Sequence, residues 1–344
     1  MKLASFLNNN QEHLAIVVNE RLYPLSYLNK YLPVTMQELL ADWSRYLYII
    51  KLEEQNVRSG LCNHVQNFGI DQVQLLSPVP KPTSCRDGYA FRQHVETARR
   101  NRNLQMIPEF DKFPVFYFTN HQSIQGPGHV NCMPDHFEKL DFELEVAVVI
   151  CKGGRNIQAR YADQFIGGLM IMNDLSARRL QMEEMLLNLG PAKGKDFATA
   201  VGPWLVTLDE LAPYEEFARG GHEGKHWNLK MTCKVNGTQV SEGNVKDMEW
   251  TFGEIIERAS YGVDLYPGDI IGSGTVGTGC FMELNGTGKI NMIGYQEQWL
   301  QDGDVIEMEI DGLGKLTNSI AAEKTDWSVL KQKKLNTITA ENMR

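Results

Sequence analysis

The chain has 344 residues, a formal net charge of −9, and 42% hydrophobic against 22% charged residues. That length and balance describe a globular protein with ample core and room for two domains. The acidic surplus argues against nucleic acid and an anionic membrane surface as partners, although a local group of cations can still hold a small anion. Six cysteines are scattered without a Cys-x-x-Cys pair, so neither a disulfide framework nor a zinc site is indicated. The first residues lack an apolar signal core, and no run of about eighteen apolar residues occurs. Reduced thiols without a targeting segment point to the cytoplasm.

Residues 2–7 and 13–23 read as a hairpin around Asn8, Asn9 and Asn10. Over 35–58, Leu39, Leu40, Trp43, Leu47 and Ile50 recur at helical spacing, with Thr35 as N-cap and Glu38 three residues on. Pro78, Pro80 and Pro82 then make a stiff connector, which places a domain boundary. A small N-terminal domain covers 1–78 and a larger one 79–344. Beyond it, residues 92–103 and 175–189 read as helices. Residues 140–150, 167–174, 229–235, 269–272, 281–284, 289–293 and 305–310 read as strands, joined by Gly, Pro and Asp turns. The fold class is α+β, mostly β, and not doubly wound.

Glu143 and Glu145 sit inside an apolar run ending at Ile150, where a period of two directs both carboxylates to one face. Like charges side by side destabilise a strand, and buried ones more so. A divalent cation is the simplest remedy, and Asp174, ending a second apolar strand, supplies a third hard oxygen ligand of the kind Mg²⁺ or Ca²⁺ takes. The alternative is a half-exposed strand with an acidic outer face.

Three further segments carry chemistry. Gly272, Gly274 and Gly277 match a dinucleotide fingerprint, but residues 278–284 read as loop then strand, so no helix N-terminus follows to hold a phosphate. Asp87, Tyr89 and His94 lie within eight residues at a loop-to-helix entry, where His94 is either a general base or an ordinary helix histidine. A helix running on from Asp174 sets Arg178 and Gln181 along one face, and a Gly-rich bend returns Lys195 toward them. That makes either an oxyanion site or a solvated basic face.

Taken together, Asp87, Tyr89, Arg92-Gln93-His94, Tyr117, Glu143, Glu145, Met172-Asn173-Asp174, Arg178, Lys195, Ser273-Gly274-Thr275 and Met282-Glu283 follow one order. That order resembles the fumarylacetoacetate hydrolase family over about residues 80–320, and Arg92-Gln93-His94 resembles its fumarylacetoacetase branch. The resemblance implies a mixed β-roll or sandwich catalytic domain in a homodimer, with a smaller N-terminal domain. It implies metal ligation by Asp87, Glu143, Glu145 and Asp174, with Lys195 and Thr199 near a second cation. The cation would be Mg²⁺ or Ca²⁺, with Mn²⁺ a third candidate. It further implies that His94 activates water and Glu283 orients His94, that Arg178, Gln181 and Lys195 meet an oxyanion, and that Tyr89, Tyr117, Gln181 and Thr275 touch substrate. Two family positions that hold a substrate carboxylate are Asn103 and Met185 here, and Arg102 is the candidate replacement.

The activity implied is metal-assisted hydrolysis of a C–C bond in a small anionic dioxo acid. The favoured substrate is 4-fumarylacetoacetate, giving fumarate and acetoacetate as in tyrosine and phenylalanine breakdown. A 1,3-dioxo unit suits a hard cation because it offers two oxygens. The alternatives are an acylpyruvate hydrolase, a 2-oxo acid decarboxylase, or a non-catalytic cation- or carboxylate-binding module.

Overall fold

The computed structural model describes residues 1–332. Three strands open the chain, β1 (Lys2–Asn8), β2 (Gln11–Val18) and β3 (Arg21–Pro24). The predicted hairpin is therefore a meander: its second strand breaks at Asn19 and Glu20, both at positive φ, which makes a second tight turn. The predicted helix over 35–58 is two, α1 (Met36–Ala41) and α2 (Trp43–Arg58), parted at Asp42, whose φ of −145° is not helical. Thr35 and Glu38 close the capping box expected of them. The N-terminal strands also join the main sheet, because β1 pairs antiparallel with the later strand at Leu205 and Val206.

The main sheet is built next from β4 (Ser84–Gly88), followed by helix α3 (Arg92–Arg100), and β5 (Phe116–Thr119). After the edge strand β6 (Gly128–Cys132) and the two-residue β7 (Leu140–Asp141) come β8 (Leu144–Ile150) and β9 (Ile166–Asp174). Short β10 (Ser176–Ala177) leads into helix α4 (Arg178–Met185), and β11 (Thr199–Val206) follows. The second sheet takes β12 (Lys230–Val235) and β13 (Thr238–Asn244), before helix α5 (Phe252–Ser260) and β14 (Asp269–Gly272). Helix α6 (Phe281–Asn291) precedes the closing pair β15 (Val305–Ile310) and β16 (Gly314–Ala322). Across the main sheet the order is β3-β2-β1-β11-β9-β8-β14-β4-β5, and across the second β13-β12-β15-β16-β6.

The unbroken apolar run of β8 follows from burial on both faces. Val146, Val148 and Ile150 pack toward the second sheet with Met231, Met308 and Leu316. Ala147 and Val149, one residue out of phase, pack with Leu3, Ile16, Leu39 and Ile50 of the N-terminal region. The architecture is α+β, with sheet pairing dominant, as the sequence suggests.

Two predicted strands, 281–284 and 289–293, are instead the single helix α6. Its first turn is held from outside: Cys280 caps it, and the Asp141 carboxylate accepts from the backbone N–H of Phe281 at 2.7 Å and Met282 at 2.9 Å. Gly286 lowers the intrinsic helix tendency, yet a Cβ there would lie 2.5 Å from the Asn101 side chain, so glycine lets α3 pack on α6. The second predicted helix begins at Arg178 and not at Leu175, because Ser176 and Ala177 pair with β7.

Candidate active site

Three register relationships bring the acidic residues to one end of the main sheet. Antiparallel pairing sets Leu144 opposite Asn173 and Asp174 opposite Thr199, so the start of β8 meets the end of β9 and the start of β11. Parallel pairing sets Asp87 opposite Gly272, so β4 and β14 end at the same level. Oxygens of Asp87, Glu143, Glu145 and Asp174 lie within 4.8 Å of one another, and all four side chains are buried.

The glycines of residues 272–277 serve this cluster. A Cβ on Gly272 would lie 2.5 Å from Asp87 Oδ1, and Gly274, at φ +79°, donates its N–H to the same oxygen at 3.1 Å. A helix does follow the motif, contrary to the sequence reading. Its first two N–H groups are taken by Asp141, which leaves them nothing for a phosphate.

Charge is distributed unevenly over the four carboxylates. Burial pushes Glu143 up, but Lys195 and Arg178 outweigh it and hold it at about 2. Burial and then Asp174 push Asp87 up to about 7. Glu145 is driven well above the carboxylate range by burial, Asp87 and Glu143, and burial also raises Asp174 despite Lys195. The Lys195 ammonium pairs with Glu143 and lies 2.8 Å from Asp174, which keeps it charged although buried. Asp174 also accepts from the Tyr117 hydroxyl and from Thr199 Oγ1 at 3.3 Å.

Glu145 decides whether these residues fit a cation. Its Oε1 accepts from Thr275 Oγ1 at 3.3 Å, while its buried Oε2 accepts from no N–H or hydroxyl among the described residues, and the nearest group able to share a proton with Glu145 is the Asp87 carboxyl. A buried carboxylate oxygen facing two other carboxylates needs a positive charge or a proton. The donor set is all hard oxygen from rigid strands, which fits Mg²⁺, Ca²⁺ or Mn²⁺ better than a softer ion. Asp87, Glu143, Glu145 and Asp174 would hold it.

Beside the carboxylates, His94 on α3 meets Glu283 on α6. His94 Nδ1 and Glu283 Oε2 are 2.6 Å apart and buried, and Glu283 Oε1 accepts from the Thr278 N–H at 2.9 Å. A histidine that donates from Nδ1 leaves Nε2 as its acceptor. Tyr89 packs edge-on against the imidazole at 6.0 Å.

The predicted oxyanion group divides. Arg178 spends its donors within the protein: Nε on Asp141 at 2.8 Å, one terminal nitrogen on Glu143 at 2.8 Å, the other on Gln181 Oε1 at 3.0 Å. It therefore braces Glu143 and holds the Gln181 side chain, while both Arg178 and Gln181 line the cleft. Helical geometry explains the last contact, since Arg178 and Gln181 are three apart on α4.

All of this opens into a cleft of about 720 Å³, lined also by Tyr89, Tyr117, Arg102, Met185, Lys195 and Thr275. Asn103, at positive φ beyond the end of α3, is not in its lining, whereas Arg102 is. Thr199 supports Asp174 from below without reaching the cleft wall. Sequence reading missed Asp141, fully buried and held by Arg178 and α6. Its signal was present: it lies two residues before Glu143 in the same apolar run.

Residues 83–321 match the family model for the fumarylacetoacetate (FAA) hydrolase C-terminal region. The mitochondrial oxaloacetate tautomerase FAHD2A of Bos taurus is 30% identical over 298 residues, covering 84% of this chain and 80% of its own. Fumarylacetoacetase of Arabidopsis thaliana is 30% identical over 241 residues, covering 58% of this chain and 57% of its own. The solved fumarylacetoacetate hydrolase of Exiguobacterium antarcticum aligns with a TM-score of 0.67 at 22% identity, over 94% of this chain and 100% of that one. With most of its length matched by the family model and by a relative at that identity, the chain belongs to the fumarylacetoacetate hydrolase family.

Proposed function

We propose that the chain is a metal-dependent hydrolase that cleaves the C–C bond of a β-diketone acid, with 4-fumarylacetoacetate as substrate. The observation that carries this reading is the buried His94–Glu283 pair, 2.6 Å apart and lining the same cleft as Asp87 and Glu143 of the four-carboxylate cluster. A binding module has no use for a base held in one tautomer, whereas hydrolysis needs one. When bound, a divalent cation supplies a Lewis acid for the two oxygens of the dioxo unit.

The protein's own residues do the rest. His94 Nε2 takes a proton from water as the hydroxyl adds to the fumaroyl carbonyl carbon. Glu283 steadies the imidazolium that forms. Gln181 and Lys195 meet the oxyanion with N–H groups already in place, a contact worth about 3–4 kcal/mol per donor in other enzymes. As the C–C bond breaks, the proton on His94 passes to the departing acetoacetate carbon, so one water is consumed and fumarate and acetoacetate leave. Tyr89, Tyr117 and Thr275 line the path of the substrate, and Arg102 holds its far carboxylate. A small anionic acid as ligand, a homodimeric assembly and a cytoplasmic setting complete the proposal.

A second reading is favoured by the relatives named as oxaloacetate tautomerases, one of which matches 84% of this chain. Keto–enol exchange uses the same dyad to move one proton between carbon and oxygen, with no water consumed. Rates on fumarylacetoacetate, fumarylpyruvate and oxaloacetate, with product detection and with or without Mg²⁺, separate the readings. Formation of fumarate from fumarylacetoacetate supports the hydrolase. Enol–ketone exchange of oxaloacetate without any cleavage product overturns it in favour of the tautomerase.

A further inference from the structure

We infer that Asp141 is a positioning residue that ties the carboxylate cluster to the His94–Glu283 dyad, so that the two halves of the site are set by one buried side chain. The inference rests on the functional reading above for what the dyad does, and on geometry alone for the coupling.

Asp141 is fully buried on the two-residue strand β7, whose partner Ser176 stands just before Arg178. Its Oδ2 accepts from Arg178 Nε at 2.8 Å, and Arg178 in turn donates to Glu143 Oε1 at 2.8 Å. Toward the other side, Oδ1 accepts from Phe281 N–H at 2.7 Å and Oδ2 from Met282 N–H at 2.9 Å. The next residue of α6 is Glu283, which holds His94. One carboxylate thus clamps a support of the metal cluster and the first turn of the helix that carries the dyad's acid.

The arrangement is demanding in a way that packing alone would not require. Asp141 satisfies the first two N–H groups of α6, which no α6 backbone carbonyl can reach. Cys280 Sγ takes the third, from Glu283 itself, at 3.4 Å. Phe142 packs edge-on against Phe281 at 5.0 Å, pinning β7 and α6 together from the apolar side. Glu283 is the third residue of α6, so the placement of this first turn sets where its carboxylate meets His94, and Asp141 with Arg178 fixes that placement.

The test uses readouts that need no substrate. Mg²⁺ affinity is measured by calorimetric titration of the whole protein, and the His94–Glu283 hydrogen bond by its far-downfield imidazole proton signal, assigned by its loss in His94→Gln. Asp141→Asn keeps size and one acceptor oxygen but cannot serve both Arg178 and the two N–H groups. It is expected to weaken Mg²⁺ about 10- to 100-fold, the usual cost of losing a support behind a ligand, and to shift or abolish the imidazole signal. Arg178→Lys, which keeps the charge but releases one of its two carboxylates, is expected to move the same signal although Arg178 touches neither His94 nor Glu283. A folded Asp141→Asn protein with wild-type Mg²⁺ affinity and an unchanged signal overturns the inference. So does failure of both variants to fold, which would assign Asp141 to the fold alone. A protein that behaves as expected here but turns over none of the dioxo acids sinks the functional reading and leaves the coupling standing.

Discussion

Glu143 and Glu145 lie two residues apart and reach one site, yet only Glu143 has cations against it. Lys195 and Arg178 hold Glu143 at about 2, whereas Glu145, without either, is pushed well up by burial, Asp87 and Glu143. The first is a settled anion, whereas the second stays buried without a cation only by binding a proton, which costs free energy above the ordinary carboxylate range. Glu145→Gln should therefore stabilise the metal-free protein while removing a ligand. A gain of roughly 1 kcal/mol, about 2 °C in melting midpoint, is expected in EDTA, together with loss of any upward shift on adding Mg²⁺. A destabilised variant in EDTA would mean that the proton shared between Glu145 and Asp87 stabilises the fold more than burial of the two carboxyls costs it.

The same imbalance sets a pH dependence. Asp87, at about 7, and Glu145, also raised, bind protons in the folded state that the unfolded chain has already lost. Their stabilising effect is complete below the ordinary carboxylate range; that of Asp87 disappears as pH rises through about 7, and that of Glu145 as pH rises through its own raised range. His136, lowered by burial to about 4, works in the opposite direction below about 6.5, where the unfolded chain binds the proton. The site is therefore read by difference, comparing melts in Mg²⁺ with melts in EDTA. Because the cation competes with those protons, the Mg²⁺ increment is expected to be small at pH 5 and large at pH 8. An increment that is flat with pH would exclude Asp87 and Glu145 from the cation site.

His94→Ala should reduce kcat by about 10²–10⁴-fold with little change in Mg²⁺ affinity, as expected of a lost general base. Glu283→Gln should give a smaller loss of about 10- to 100-fold, since the imidazole remains but its orientation and charge support are weakened. Near wild-type turnover in His94→Ala would remove it as the base, and near wild-type turnover in Glu283→Gln would remove the dyad.

Much of the site was legible because strand periodicity and turn chemistry are local. Glu143, Glu145 and Asp174 were placed by apolar runs whose side-chain period is fixed, and Thr35 by a capping pattern that needs only four residues. What was not legible depends on distant contacts. Residues 281–291 contain glycines and an apolar stretch that read as strand, and the carboxylate that takes the first two N–H groups of their helix comes from Asp141, 140 residues earlier. That Arg178 also braces Glu143 was hidden because its three partners, Asp141, Glu143 and Gln181, converge only after β7 pairs with β10. The break at Asn19 and Glu20 and the break at Asp42 were local misses, the first because consecutive residues at positive φ are uncommon outside glycine.

Arg102 carries the last prediction, which concerns the far end of the substrate. It lines the cleft, and its Nε donates to Ala98 O at 3.1 Å, a contact that fixes the stem and leaves the terminal nitrogens facing away from that carbonyl. Asn103 is outside the lining and Met185 at the rim is 43% exposed, so neither offers a charge for a carboxylate. A substrate with a second carboxylate should then depend on Arg102 for binding more than for chemistry. Arg102→Ala is expected to raise KM for fumarylacetoacetate by about tenfold or more, a loss of about 1.5–3 kcal/mol for a hydrogen bond to a charged group, with kcat nearly unchanged. For a substrate lacking the distal carboxylate the variant and the wild type should have the same KM. If both substrates suffer alike, Arg102 shapes the cleft and does not read the carboxylate. If neither does, the far end of the substrate is held by other residues.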